Sequence, residues 1–374
     1  MSSKTAASRR IDSGRVVVKI GSGVLSGGKV GLDAPTVRRL ADDVAAVREA
    51  GREVVVVSSG AILAGRARLA LTAKPSTQLK QAAAAVGQPH LMQVWEEAFA
   101  RHKVAVAQVL LTAEDLRDRE RYLNARNTLL TLLRLGVVPI VNENDTVAVE
   151  EIKFGDNDGL SILVAGLIDA ALLLLLTDQD GLYTDDPRKN PQAALIARVR
   201  PGETPEKVGD AGPNGSGGMA SKVRAARRAA QGGIAAVIAS GVKDGTLVSA
   251  VAGESVGTFF EPVSKPLAKR QQWLAFASHP KGRITVDAGA KAALVERGKS
   301  LLSSGVRSLS GSFAPGDVVS LVSGAGEFAR GLVNYGAADL EKIRGLKTTQ
   351  IEATLGHKPA DEVVHRDNLA VIDP

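Results

Sequence analysis

Between residues 15 and 240 short apolar runs alternate with helical patterns, and this alternation constrains the fold more than any other feature of the chain. Runs rich in Val, Ile, Leu and Ala at 16–18, 53–57, 104–111, 137–141, 170–176 and 234–239 read as buried strands. Helical periodicity separates them. Val37, Leu40, Val44 and Val47 recur on one face, with Asp33 and Pro35 suited to the helix start and Gly51 to its stop. Further helices are expected over 76–102, interrupted near Gly87 and Pro89, over 119–135, and from Met219 through Ala230. Strands alternating with helices make an α/β domain, a mostly parallel sheet sandwiched by helices. Right-handed crossovers then bring the strand exits to one edge, where open α/β folds bind ligands.

The residues at those exits are small and polar. The run 137–141 ends in Asn142-Glu143-Asn144-Asp145, and Gly155-Asp156-Asn157-Asp158-Gly159 opens the apolar stretch 160–168. Turn and capping chemistry would account for either cluster alone. Two such clusters close together, each abutting a buried element, favour a ligand site. Lys19 leaves its strand beside Gly21 and Gly23, which let the backbone pass close to a bound group. A lysine with nearby N–H groups suits phosphate, although a surface Lys beside a tight turn is an equal reading. Ser58-Ser59-Gly60 follows the run 53–57 and either holds an anion or caps the next helix. Thr177-Asp178 follows the run 170–176, and the glycine-rich stretch 212–218 runs into Met219-Ala220-Ser221-Lys222. Lys19, Ser59, Asp145, Thr177 and the loop before Lys222 are expected to line one edge.

Composition removes several classes of function. There is no cysteine, so disulfides, thiolate metal sites and cysteine nucleophiles are excluded. The five histidines are scattered without metal-ligand spacing. Aromatic residues make up 3%, too few for a base-stacking surface. The net charge of +7 is spread along the chain rather than massed in a tail. No apolar run approaches the roughly 20 residues of a spanning helix, and the first dozen residues lack a secretory pattern. A cytoplasmic protein without membrane association is expected. No Walker-type phosphate loop, nucleophile elbow or dinucleotide fingerprint occurs.

The pattern changes after about residue 258. Residues 258–272, with Pro262 and Pro266, read as a linker. From 273 to 374 the runs are strand-sized and punctuated by Gly, with one helix at 288–297, which suggests a second, mainly β domain built as a small barrel. Residues 1–13 are expected to be a disordered extension and 14–257 the first domain.

Two lysines beside glycine loops, with carboxylates nearby and no nucleophile motif, suggest phosphoryl transfer, which demands positioning and cations rather than covalent help. A carboxylate acceptor suits the chain. A glutamate side chain, with a free pKa of about 4.3, is already ionised at neutral pH and needs no general base.

The motifs Val18-Lys-Ile-Gly-Ser22, Val57-Ser-Ser-Gly-Ala-Ile62, Val141-Asn-Glu-Asn-Asp145, Asp156-Asn-Asp158, Leu176-Thr-Asp178 and Gly217-Gly-Met-Ala-Ser-Lys222 resemble, in register, the glutamate-phosphorylating members of the amino acid kinase family. The tail, with Gly305-Val306, Gly311-Ser-Phe313, Gly316-Asp317 and Tyr335, resembles a PUA domain. The resemblance implies ATP-dependent phosphorylation of the L-glutamate γ-carboxylate, the first step toward proline, with Mg²⁺ accompanying ATP. It implies that Lys19 and Lys222 contact the phosphates and that Asp158 holds both lysines. Ser59, Asp145 and Asn157 match glutamate-binding positions. Thr177, Asp178 and the loop Ser216, Gly217, Gly218, Met219, Ala220, Ser221 and Lys222 match nucleotide contacts. It also implies inhibition by L-proline and a homo-oligomer. Other readings are a sibling kinase acting on aspartate, N-acetylglutamate or UMP, and an RNA-binding protein working through the PUA domain.

Overall fold

The computed structural model describes residues 14–372 apart from 73–75, 149–156, 204, 206–217, 265–270, 272, 275–277 and 325. The chain divides into two compact units, Met1–Pro266 and Leu267–Pro374. The expected extension at 1–13 lies outside the described residues.

The first unit is built on a sheet of β1 (Arg15–Ile20), β2 (Val54–Ser58), β3 (Val106–Leu111), β4 (Val138–Glu143), β5 (Ala170–Thr177), β6 (Arg198–Val199), β7 (Ala235–Ser240) and β8 (Thr258–Phe260). The strand order is β3-β4-β2-β1-β5-β7-β8-β6. From β3 to β7 every pairing is parallel, whereas β8 runs antiparallel to β7. Strand β8 falls within the stretch expected to be a linker, and it pairs with both β7 and β6.

The helices are α1 (Ser22–Ser26), α2 (Ala34–Glu49), α3 (Ala61–Arg68), α4 (Thr77–Ala100), α5 (Arg119–Arg134), α6 (Asn157–Leu167), α7 (Met219–Gln231) and α8 (Thr246–Val251). Asp33 caps α2, accepting from the Thr36 N–H at 3.1 Å, with Pro35 inside the first turn where its missing N–H costs nothing. Two apolar layers cover the sheet. Val16, Val18, Ile20, Val54, Val56, Ile140 and Leu174 pack with α2 and α4 on one face. Val17, Val55, Val57, Val141, Leu173 and Leu175 pack with α5, α6 and α7 on the other. Strand side chains alternate between faces, so a strand buried on both sides must be apolar at consecutive positions.

Helix α4 is continuous, against the expected interruption near Gly87 and Pro89. An interior proline costs roughly 3 kcal/mol. Each large apolar side chain fully buried returns about 1.5–3 kcal/mol, and Leu91, Trp95 and Phe99, C-terminal to Pro89, are all fully buried. Gly87 is also a packing residue: a Cβ there would sit 1.9 Å from the Ala61 carbonyl oxygen, and one at Gly65 would sit 1.7 Å from that of Ala83. Backbone contact between α3 and α4 thus replaces side-chain contact.

The second unit contains β9 (Gly282–Val286), β10 (Val306–Gly311), β11 (Val318–Ser323), β12 (Gly326–Val333) and β13 (Val364–Val371), in the order β10-β9-β11-β12-β13. Helix α9 (Ala288–Val295) is the expected one; α10 (Ala337–Ile343) and α11 (Ile351–Leu355) are additional. Ile284, Phe313, Leu321, Phe328 and Tyr335 centre a separate core. The expected α/β first domain and mainly β second domain are both present.

Candidate active site

The parallel register sets the exits side by side. Ile20 lies opposite Ser58, Leu111 opposite Glu143, and Thr177 opposite Ser240. The loops leaving these positions lead into α1, α3, α6 and α8, so several helix N-termini face the same edge, a favourable setting for anions.

Alternation along β1 decides where Lys19 goes. It shares a face with Val17, on the side of α6 and α7, and is 3% exposed. There its Nζ lies 2.6 Å from Asp158 Oδ1, at the first turn of α6. Lys222, on α7, reaches Asp158 Oδ2 at 3.2 Å. Ser221 Oγ donates to the same oxygen at 2.6 Å and lies 2.8 Å from the Gly218 carbonyl oxygen. Asp158 is 1% exposed and Lys222 6%. Burial pushes the Asp158 carboxyl up, but the attraction of Lys19 and Lys222 and the hydrogen bonds from Lys19 and Ser221 outweigh it and hold the pKa at about 2. Lysines 203 positions apart in sequence (222 − 19) therefore share one carboxylate. An ammonium has three donors, so gripping Asp158 leaves each lysine capacity for further acceptors.

The neighbouring residue on α6 points a different way. Asn157 Nδ2 donates to Ser59 Oγ at 3.0 Å and to Asn142 Oδ1 at 3.0 Å, while its Oδ1 accepts from the Glu143 N–H at 3.3 Å. Successive helical residues diverge by about 100°, so Asp158 and Asn157 serve adjoining clusters. Ser59 is held by its own N–H donating to the Ile20 carbonyl at 3.0 Å. It precedes Gly60, whose φ of 114° admits glycine readily and turns the chain into α3. Asp145 lies in the turn just beyond β4. Burial pushes its carboxyl up to about 6.

Thr177 and Asp178 leave β5, beside β1, and are bonded to each other, Thr177 Oγ1 donating to Asp178 Oδ1 at 3.0 Å. Gly218 is the N-cap of α7, and Met219 and Ala220 form its first turn. Ser216 and Gly217 lie outside the described residues. The structure thus brings Lys19, Asp158, Ser221 and Lys222 together in one cluster and Ser59 and Asn157 in the next.

Sequence reasoning placed Asn142 in the polar cluster without giving it a role, and left out Gln88 and Trp95. Asn142 donates to Gln88 Oε1 at 2.9 Å, and Trp95 Nε1 donates to Ser58 Oγ at 3.1 Å. A signal for Gln88 existed: it is a polar residue inside the otherwise small and apolar stretch 82–89 of α4.

The parallel sheet, covered on both faces, with paired lysines on a buried aspartate at its carboxyl edge, defines a phosphate-handling α/β protein. The model of the amino acid kinase family matches residues 14–240, and that of the PUA domain matches 282–355. The chain belongs to the amino acid kinase family. Among named relatives, the glutamate 5-kinase of Pelobacter propionicus is 50% identical, covering 96% of this chain and 97% of the relative. That of Ralstonia nicotianae is 51% identical over 96% of this chain and 98% of its own length, and that of Geobacter sp. strain M21 is 49% identical over 96% and 97%.

Proposed function

We propose that the chain acts as its relatives are named: it is a glutamate 5-kinase, transferring the γ-phosphoryl group of ATP to the side-chain carboxylate of L-glutamate. This is the first step of proline biosynthesis. The observation that carries the assignment to this edge is the convergence of Lys19 and Lys222 on Asp158.

In this reading Lys19 and Lys222 neutralise the phosphoryl group as it moves, and Asp158 fixes their separation. Ser221 holds the second oxygen of Asp158 in place. A γ-carboxylate oxygen attacks phosphorus in line, the bond to the ADP oxygen breaks, and no proton need be removed because the acceptor is already ionised. Ser59 and Asn157 orient the amino acid by its carboxylates, and Asp145 pairs with its ammonium. Thr177, Asp178 and the 216–222 loop contact the nucleotide. Among the described residues no cluster of three or more His, Asp or Glu side chains forms a metal site, and Asp158 is already held by two ammonium groups. Mg²⁺ fits this arrangement as part of the MgATP substrate, carried by phosphate and water oxygens. L-Proline, with a carboxylate beside a cationic nitrogen, would compete at the same amino-acid end.

The test is an ADP-release assay with glutamate, aspartate and N-acetylglutamate, with hydroxylamine present to trap an acyl phosphate as its hydroxamate. Hydroxamate formation from glutamate is expected. Turnover with another acceptor alone would reject the substrate while leaving the reaction class standing.

A further inference from the structure

A row of side-chain amides joins α4 to the start of α6. Gln88 Nε2 donates to Gln108 Oε1 at 3.0 Å, Asn142 Nδ2 to Gln88 Oε1 at 2.9 Å, and Asn157 Nδ2 to Asn142 Oδ1 at 3.0 Å. The row has one direction. The backbone N–H of Glu143 can only donate, and it faces Asn142 Oδ1 at 2.9 Å and Asn157 Oδ1 at 3.3 Å. With its oxygen held there, Asn142 must turn its NH₂ toward Gln88, which must present an oxygen. Asn157 likewise turns its NH₂ toward Ser59 Oγ. A hydroxyl that accepts from Asn157 has its own proton available for another acceptor.

We propose that Gln88 is a positioning residue for the acceptor substrate. It holds Asn142, and through it Asn157, in the orientation that commits the Ser59 hydroxyl proton to a substrate carboxylate. The proposal rests on the reading that Ser59 and Asn157 bind glutamate. Gln88 is 8% exposed and Asn142 2%. Without the Gln88 oxygen, the buried NH₂ of Asn142 loses its acceptor. Turning the amide over would set donors against the Glu143 N–H and against Asn157 Nδ2. The amide row touches the acceptor cluster and leaves the Lys19–Asp158–Lys222 cluster alone, so its effect is confined to one substrate.

The experiment is steady-state kinetics of the full-length chain carrying Gln88→Met, Gln88→Glu or Asn157→Ala, with thermal denaturation of each. Gln88→Met keeps the length of the side chain and removes the amide. It is expected to raise KM for glutamate by about tenfold while KM for ATP stays within about twofold. Gln88→Glu retains an oxygen for Asn142 whatever its protonation state, and is expected to restore most of the loss. Should Gln88→Met fail to fold, Gln108→Leu, which removes the outermost acceptor on an exposed position of β3, is expected to give the same glutamate-selective rise at smaller size. An unchanged glutamate KM in the folded variant, an equal rise in both KM values, or no rescue by Gln88→Glu overturns the proposal. If Asn157→Ala raises the glutamate KM but Gln88→Met does not, the relay fails and the substrate site stands. If Asn157→Ala leaves it unchanged, the substrate site fails and the relay with it.

Discussion

Asp158 carries two burdens at the residue scale. It neutralises charge that the fold has placed in its interior, and it spaces the two lysines proposed to bind phosphate. Asp158→Ala is expected to cost about 3–5 kcal/mol of stability, because it leaves two buried ammonium groups without their shared partner; urea denaturation measures it. Since its folded pKa is depressed to about 2, the stability it supplies is present above pH 4 and lost as pH falls toward 2. Lys222→Ala leaves Lys19 to pair with Asp158. It is expected to lower kcat by about 10²–10³-fold with a folded protein, read by single-turnover kinetics. Asp145 has the opposite sign. Its carboxyl is raised to about 6 by burial, so its charge costs stability: the favourable contribution is complete below about pH 4 and disappears as pH rises through 6. Asp145→Asn is therefore expected to raise stability at pH 8 by about 1 kcal/mol, allowing for partial contact with water. The same variant should weaken glutamate binding sharply. In the parent protein the glutamate KM should climb as pH falls below about 6, and in Asp145→Asn that dependence should vanish.

At the scale of elements, the contact between α3 and α4 sets the position of Ser59. Gly65→Ala or Gly87→Ala would drive a methyl group into a backbone carbonyl. Either is expected to cost about 1–3 kcal/mol or more and to raise the glutamate KM by moving α3. Guanidine denaturation together with kinetics separates the two effects. These helices also mark where the sequence stops being legible. Strands β1, β2, β4, β5 and β7 were plain from unbroken Val, Leu and Ile runs, because burial on both faces leaves little else to choose. The N-cap of α2 was plain from Asp33 and Pro35. Gly87 and Pro89 read as a break in α4 because local propensity knows nothing of Ala61 or of the apolar layer beneath Trp95. Short strands such as β6 and β8 depend on partners far away in the chain. In the candidate site, Lys19, Asp158 and Lys222 stood out through their glycine and Asx neighbours. Gln88 stood out only as a polar residue among small apolar ones, because its partner Asn142 lies 54 positions on.

The molecule as a whole has two units with separate cores. Every described residue proposed to contact ATP or glutamate lies in the first. A protein ending at residue 266 is expected to retain glutamate-dependent ADP release, and an isolated 267–374 fragment is expected to melt cooperatively on its own; loss of all turnover in the shorter protein would place part of the chemistry in the second unit. The two faces of the first sheet have a further consequence. Lys19 projects toward α6 and α7, whereas Ser58 and Asn142 bond to α4 on the opposite side. In the proposed reading, donor chemistry and acceptor recognition draw on opposite layers of the sheet that meet at the start of α6, where Asp158 and Asn157 are neighbours. Variation in α4 would then retune which small acid is chosen while the phosphate grip stays as it was, giving one scaffold room to diversify its clientele without relearning its reaction.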